Sequence, residues 1–451
     1  MIGASLKMEP SAGSDMRVWV VKTSEMLATD NRSGRLMRSG IIAHMLDARG
    51  HEVTWWTSTF DHANRRNRHE RDTTAAFGSR GTINMIHSPG YRSSVSLARF
   101  IDHVAWARRF QRAIATTSLP DIIFCAYPTI EAALVGTRFG KRRGVPVVLD
   151  LRDMWPDLFG ELPPPLLRPL ARVLLAPLRA RAGSALRSAA ALFAITDEFL
   201  QWGLALAGRP QGALDAVFAQ AYPLASLKSL DDEDAREARD FWDRHDVRRD
   251  AAFNVALVGS ITGRRVAMES VLEAARKLQN DERPVRFICA GSGDDLALYR
   301  KQSRDCRNVL FSGWLRATQI RELLARAHLG LIPYRNTPDF VMSVPTKAAE
   351  YFAAGLPVAT SLRGTLPRLL REQDCGREFD ADDPESLVVL VRTLRDDPAL
   401  CSALSENARR AFHKGFVAED VYGRLIDQLE RIAVSGTALA ARSAQQTAGA
   451  W

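Results

Sequence analysis

Val341-Met-Ser-Val-Pro-Thr-Lys-Ala-Ala-Glu350-Tyr-Phe-Ala-Ala-Gly-Leu-Pro-Val358 decides how the chain is read. Pro345 suits a first helical position, where its missing N–H is no loss. Ala348, Ala349, Phe352, Ala353 and Ala354 carry a helix, Gly355 fits its C-terminal cap, and Pro357 prevents continuation. Val358-Ala-Thr reads as the next buried strand and His328–Tyr334 as the strand before, so the unit is strand–loop–helix–strand. Free N–H groups at Thr346 and its neighbours form an anion site, to which Lys347 adds a full charge. Glu350 follows about 7 Å along the axis at 1.5 Å per residue, leaning back toward the helix start. Phosphates at the helix start and ribose hydroxyls a few ångströms on have that layout. A half-turn that merely packs, with Glu350 on a solvated face, uses the same spacing, and the spacing alone leaves both readings open.

Working outward, the 451 residues exceed one ordinary core, and two domains are expected. An apolar content of 46% with 25% charged residues is that of a soluble globular protein. Cys125, Cys289, Cys306, Cys375 and Cys401 show no C-x-x-C spacing and read as reduced thiols of a cytosolic protein. No apolar run reaches the ~20 residues of a membrane span. Met1–Asp15 lacks a signal peptide's basic start and apolar core, and is expected to be a disordered leader. The formal charge of +9 favours an anionic partner. Sequence-specific nucleic-acid motifs are absent, so nucleic acid is not the expected partner.

The first half opens on Arg17–Lys22 as a strand, a loop with Ser33-Gly34, a helix Leu36–Arg49 and a strand His51–Trp56. That order is a Rossmann-type opening. Thr57–Arg80 reads as a polar, basic loop, a mobile surface or an acceptor-facing lid. Further strands are expected at Ile83–Ile86, Asp121–Tyr127 and Val145–Asp150, with Leu192–Ile195 the last of the first domain. Asp150-Leu-Arg-Asp153 follows a strand end, where open α/β sheets place ligands; an Arg152 salt bridge to a neighbouring Asp explains it equally. Leu162–Thr196 carries five arginines and no acid, with Pro169 and Pro177 breaking it into short helices. Arginine stems along its apolar surface would set their heads at anionic lipid without spanning it, unless the segment packs inside the domain. In the second half Asn254–Val258, Val285–Ala290 and Val309–Phe311 are strands that each open into a glycine turn, at Gly259–Gly263, Gly291-Ser-Gly293 and Ser312-Gly313-Trp314. Glycine there lets backbone N–H groups approach a phosphate or base edge.

Together with Pro345-Thr-Lys-x-x-Glu350, these turns resemble the donor-nucleotide domain of GT-B glycosyltransferases. More narrowly the chain is similar to the retaining group called family four, which includes enzymes that build bacterial surface polysaccharides. The resemblance spans about residues 16 to 430. It implies an α/β fold of two Rossmann-like domains facing across a cleft: an acceptor domain at 16–205, a connector at 206–250 and a donor domain at 251–415. A C-terminal helix at 416–434 and a disordered tail at 435–451 complete the chain. It implies further that Arg264 or Arg265 meets the donor diphosphate and that Gly291 and Gly293 line the nucleotide. Gly313 and Trp314 would border the base and Glu350 would hold the ribose hydroxyls. Gly34, Gly259, Ser343, Pro345, Thr346 and Lys347 would complete the donor site. Asp153, Arg264 and Lys347 are the expected catalytic residues, Asp153 orienting acceptor or sugar, with His62 and His87 behind it.

The family commonly has a second glutamate eight residues before Glu350, where this chain has Met342, and a His-Asp pair where this chain has Arg152-Asp153. The implied activity is transfer of a hexosyl or N-acetylhexosaminyl group to a lipid-linked or polysaccharide acceptor. It would proceed with retention, without metal or cofactor, from a nucleotide-sugar substrate (a UDP-sugar favoured), at the inner membrane face. A nucleotide-sugar epimerase of the same fold and an inactive nucleotide-sugar-binding subunit are the competing readings.

Overall fold

The structure, a computed structural model, describes residues 15–27, 29–30, 36–93, 96–161, 163–227 and 232–448. It divides into two units, one of residues 1–218 with 422–451 and the other of residues 219–421.

The first unit is built on β1 (Arg17–Val21), β2 (Glu52–Ser58), a hairpin of β3 (Phe60–Asp61) and β4 (Arg66–Asn67), β5 (Thr73–Phe77), β6 (Gly81–Ile86), β7 (Ile122–Tyr127), β8 (Val147–Leu151), β9 (Ala191–Ala194) and β10 (Ala216–Val217). Its sheet runs β10-β9-β8-β7-β1-β2-β6-β5, parallel except for β5. Every residue of β7 and β8 is buried, as a parallel sheet covered on both faces requires. From β1 the chain winds one way through β2 and β6, then the other way from β7, so direction reverses between β1 and β7.

Several expectations are corrected in this unit. Thr57–Arg80 is not one loop: β5 pairs antiparallel with β6 at the sheet edge. The turn between them is held by Asp47, whose carboxylate accepts from Ser79 N at 2.7 Å and Arg80 N at 2.6 Å. β9 is not the last strand, because β10 adds beyond it. Pro169 and Pro177 do not break the arginine-rich segment, which forms one helix, Arg168–Ser188. Pro169 sits in its first turn, where no N–H is needed. Pro177 removes the donor for the Val173 carbonyl, on a face exposed to water.

The expected connector is likewise shared out, since residues 206–218 belong to the first unit and 219–250 to the second. There the helix Asp232–Arg244 buries Trp242, whose indole N–H donates to the Gln319 carbonyl at 2.8 Å. The C-terminal helix runs Ala418–Ala448 rather than ending near 434. Its last turns are rich in alanine, the strongest helix former. Leu425, Ile426, Leu429 and Ile432 are buried, and Arg49 reaches Asp427 at 2.6 Å and Glu430 at 3.2 Å.

The second unit has six parallel strands: β11 (Phe253–Val258), β12 (Val285–Ala290), β13 (Val309–Gly313), β14 (Leu329–Ile332), β15 (Val358–Thr360) and β16 (Gly376–Glu378), ordered β13-β12-β11-β14-β15-β16. Alternate residues of β11 feed opposite layers. Phe253, Val255 and Leu257 pack with Val271, Leu272 and Leu278 of helix Met268–Leu278. Ala256 and Val258 pack with Ala348, Tyr351 and Phe352 of helix Thr346–Ala353. Direction reverses between β11 and β14, where such sheets bind ligands beyond the strand ends.

Candidate active site

The helix Thr346–Ala353 is pinned at that reversal by Tyr351. The Tyr351 hydroxyl accepts from Val258 N at 2.9 Å and lies 3.2 Å from the Ala256 carbonyl and 3.4 Å from that of Leu331, tying β11 to β14. Gly330 makes the ring's position possible, since a Cβ there would stand 2.4 Å from it. At the far end Gly355, with φ +67°, donates to Phe352 O at 2.9 Å while Leu356 N donates to Tyr351 O at 2.9 Å. That is the paired closure of a left-handed glycine cap. The helix begins one residue later than expected, with Pro345 as the flanking residue and Thr346 the first helical one.

The glycine turns interlock. Gly259 N donates to Ala290 O at 2.9 Å, Ile261 N to Ser292 O at 3.0 Å and Gly291 N to Gly313 O at 2.8 Å. A Cβ on Gly291 would lie 1.8 Å from Gly259 O, and one on Gly293 2.1 Å from Ile261 O. These glycines therefore have a packing reason of their own: they let the loops after β11, β12 and β13 close on one another.

Around Gly259 the structure gathers Tyr334, whose hydroxyl lies 3.6 Å from where a Gly259 Cβ would be, and Lys347, whose Cε lies 3.8 Å from it. The Lys347 ammonium stands 3.0 Å from the Glu350 carboxylate, and the two side chains are 21% and 2% exposed. Tyr334 packs on Phe340 with ring centroids 4.6 Å apart, and the Arg265 guanidinium covers Phe340 at 5.3 Å. Burial pushes the Tyr334 phenol up, so it stays protonated as a hydrogen-bond donor. Arg264 is exposed. Ser343 is buried, its hydroxyl 3.4 Å from the Phe340 carbonyl. Trp314 is 66% exposed beyond Gly313. A hollow of about 500 Å³ lies beside Gly293, with Asp294, Arg300, Lys301 and Arg304 among its lining.

Asp153 belongs to the first unit, whereas the donor residues Gly259 to Glu350 belong to the second. Its half-buried carboxylate accepts from Met154 N at 2.8 Å. Beside it Arg152 is spent on structure: Nε donates to Asp150 at 2.5 Å and Nη1 donates to Glu25. Asp150, fully buried, also takes Arg38 through two bonds at 3.0 and 2.9 Å. Burial alone would raise the Asp150 carboxyl, but the Arg38 and Arg152 guanidiniums outweigh it and hold it below the usual range. Glu25 further accepts from Ser39 N at 3.0 Å and Ser39 Oγ at 2.9 Å. The salt-bridged turn expected as one alternative at Asp150–Asp153 is thus present.

Lys22 donates to Pro128 O at 3.3 Å, and its ammonium is lowered by burial, then by Arg152. Close by in the same unit, His62 contacts the Tyr91 hydroxyl at 2.8 Å, and burial, Arg99 and Arg65 bring it down to about 4. His103 is buried with no hydrogen-bond partner on Nε2; burial, then Arg99, brings it to about 3. His87 lies within 3.3 Å of Thr59 Oγ1 and His69 O. Gly34 lies outside the described residues. The sequence reading did not single out Tyr334, Phe340, Lys22, Tyr91, Arg99 or His103. Of these, Tyr334 and Lys22, each at the end of an expected strand, carried a local signal. Among the described residues no three His, Cys, Asp or Glu side chains converge as metal ligands.

A family model described as "Glycosyl transferases group 1" matches residues 252–397, inside the second unit. Another, "Glycosyl transferase 4-like domain", matches residues 39–217, inside the first. No curated protein sequence matches the chain. Among solved structures, sucrose-phosphate synthase from Thermosynechococcus elongatus is 14% identical, covering 92% of this chain and 99% of its own with a TM-score of 0.67. HepE of Anabaena, solved with UDP-glucose, is 14% identical over 92% of this chain and 100% of its own, with a TM-score of 0.62. WaaG, a glycosyltransferase involved in lipopolysaccharide biosynthesis, is 18% identical over 92% and 98%, with a TM-score of 0.60. At such identities the likeness is one of fold. With one glycosyltransferase match on each unit, over separate stretches of sequence, the chain is a glycosyltransferase of the two-domain GT-B fold.

Proposed function

We propose that the chain transfers a hexosyl or N-acetylhexosaminyl group from a nucleotide-sugar donor, a UDP-sugar favoured, to a lipid-linked or polysaccharide acceptor. The observation that carries the donor half is the meeting of Gly259, Tyr334 and Lys347 at the start of helix Thr346–Ala353. The diphosphate takes the helix N–H groups and the Lys347 ammonium, and Glu350 takes the ribose hydroxyls. HepE, of similar fold, was solved in complex with UDP-glucose, which supports a nucleotide-sugar as the donor.

The sugar–phosphate C–O bond breaks, the departing diphosphate is stabilised by Lys347, Arg264 and Arg265, and the acceptor hydroxyl attacks the same face, losing its proton to a leaving phosphate oxygen. Charge neutralisation by these side chains replaces a divalent ion. Asp153 orients the acceptor or the sugar. The enzyme works from the cytoplasm at the inner membrane face. Support comes from Leu166, Leu167, Leu170, Val173 and Leu174, which are all more than half exposed at and just before the start of helix Arg168–Ser188. No helix among the described residues is long and apolar enough to cross a membrane.

The test is incubation with radiolabelled UDP-, GDP- and dTDP-sugars, with and without lipid-linked acceptor, and with EDTA. Acceptor-dependent transfer that survives chelation is expected. Sugar interconversion without acceptor would replace this reading with an epimerase, and nucleotide binding without turnover would replace it with an inactive subunit.

A further inference from the structure

We propose that the hollow between the β3–β4 hairpin and the start of helix Leu97–Ala113 binds a phosphate or diphosphate group of the acceptor. The inference rests on the glycosyltransferase reading above and names the chemistry of its acceptor. The hollow measures about 530 Å³, the size of a small-ligand site, and Arg65, Arg66, Asn67, Tyr91, Arg92 and Ser96 are among the residues that line it. Among the described residues no aspartate or glutamate does.

The cations are gathered on an aromatic wall. Phe60 and Tyr91 pack at 4.6 Å, and the Arg65 and Arg99 guanidiniums stand 5.7 and 5.5 Å from the Tyr91 ring centre. Arg99 also lies 4.6 Å from the Trp155 ring.

Of the nearby carboxylates, Asp153 and Asp102 act on the Arg99 guanidinium, while Asp61 and Asp72 have partners of their own. Asp61 accepts from Ala63 N at 2.9 Å, Asn64 N at 3.2 Å and Asn64 Nδ2 at 2.6 Å, with Arg68 3.9 Å away. Asp102 accepts from Gly90 N at 2.7 Å, and Asp72 pairs with Arg109 at 2.8 Å. Arg65, Arg66 and Arg92 bring three guanidiniums to one hollow, where their forks match the oxygens of a multiply charged anion in pairs. The 17-residue helix Leu97–Ala113 presents its N-terminus to the same space through Ser96 and Ala98, adding the positive end of its dipole.

Two sources carry such a group, a polyprenyl diphosphate and a soluble sugar phosphate, and calorimetry separates them. UDP binding is measured first; its absence would sink the donor reading and leave the anion titrations to be judged alone. With UDP saturating, the full chain is titrated with inorganic diphosphate, farnesyl diphosphate and glucose 6-phosphate. Binding of at least one is expected, farnesyl diphosphate marking a lipid-linked acceptor and glucose 6-phosphate a soluble one. Arg66→Ala with Arg92→Ala, both exposed in the fold, should weaken that binding at least tenfold while UDP affinity and melting temperature hold. The proposal is overturned if none of the three anions binds, or if the double variant binds them as tightly as the wild type.

Discussion

Glu350 is 2% exposed with the Lys347 ammonium 3.0 Å away, the partner a buried carboxylate needs. In Glu350→Gln the shape stays and the charge goes, so a carboxylate holding ribose hydroxyls would be missed at once. UDP affinity should fall by about 1–3 kcal/mol; unchanged calorimetric affinity in a folded variant removes Glu350 from the donor site. His103 makes a second prediction in the first unit. Its folded value of about 3 lies below the 6.5 of an open imidazole, so as pH falls the unfolded chain takes the proton first. Stability is therefore full above about pH 6.5 and declines toward pH 3, by up to about 1.4 kcal/mol per pH unit from this one group. Urea midpoints measured at pH 7 and pH 5 should converge in His103→Phe relative to wild type, and an equally steep decline in that variant would overturn the assignment.

At the scale of elements, the start of helix Thr346–Ala353 stays at the strand ends because the Tyr351 hydroxyl joins β11 and β14. Tyr351→Phe leaves Val258 N without its acceptor inside the sheet and should destabilise the second unit by about 1–3 kcal/mol; a denaturant midpoint identical to wild type would show the hydroxyl to be dispensable. Much of this element was legible beforehand. The Pro345 and Gly355 punctuation set both helix ends to within a residue, and the strands Val285–Ala290 and Val358–Thr360 stand where they were expected. β5 was hidden because Thr73-Thr-Ala-Ala-Phe77 is an edge strand with two of its five residues exposed and one buried, and its partner rather than its composition makes it a strand. Pro177 concealed the length of helix Arg168–Ser188, since a proline reads as a stop when the tolerance of an exposed face is unknown. Gly259 and Gly291 were visible as strand-end glycines, but their contact joins loops about thirty residues apart. The Arg38–Asp150 pair spans 112 residues and leaves no local trace at all.

For the whole molecule, the proposed membrane contact turns on which forces remain after the protein has satisfied its own charges. The segment 162–196 has no acid of its own, yet four of its five arginines find acids outside it. Arg168 and Arg172 share Glu161 at 3.0 and 2.9 Å, Arg179 pairs with Asp157, and Arg181 lies 3.9 Å from Glu131. Exposed pairs of this kind are individually weak, but each acid offsets part of the attraction its arginine could offer an anionic surface. The leucines have no such distraction. Leu170 and Leu174 stand in water on adjacent turns of the helix, and burying each in lipid is worth about 1.5–3 kcal/mol. Sedimentation with anionic vesicles should therefore persist in Arg168→Ala/Arg172→Ala/Arg179→Ala and weaken only modestly as salt is raised. It should be lost in Leu170→Glu/Leu174→Glu, whose circular dichroism should match wild type because neither side chain packs in the core. Wild type and a folded Leu170→Glu/Leu174→Glu variant sedimenting equally would mean that this helix does not meet the membrane.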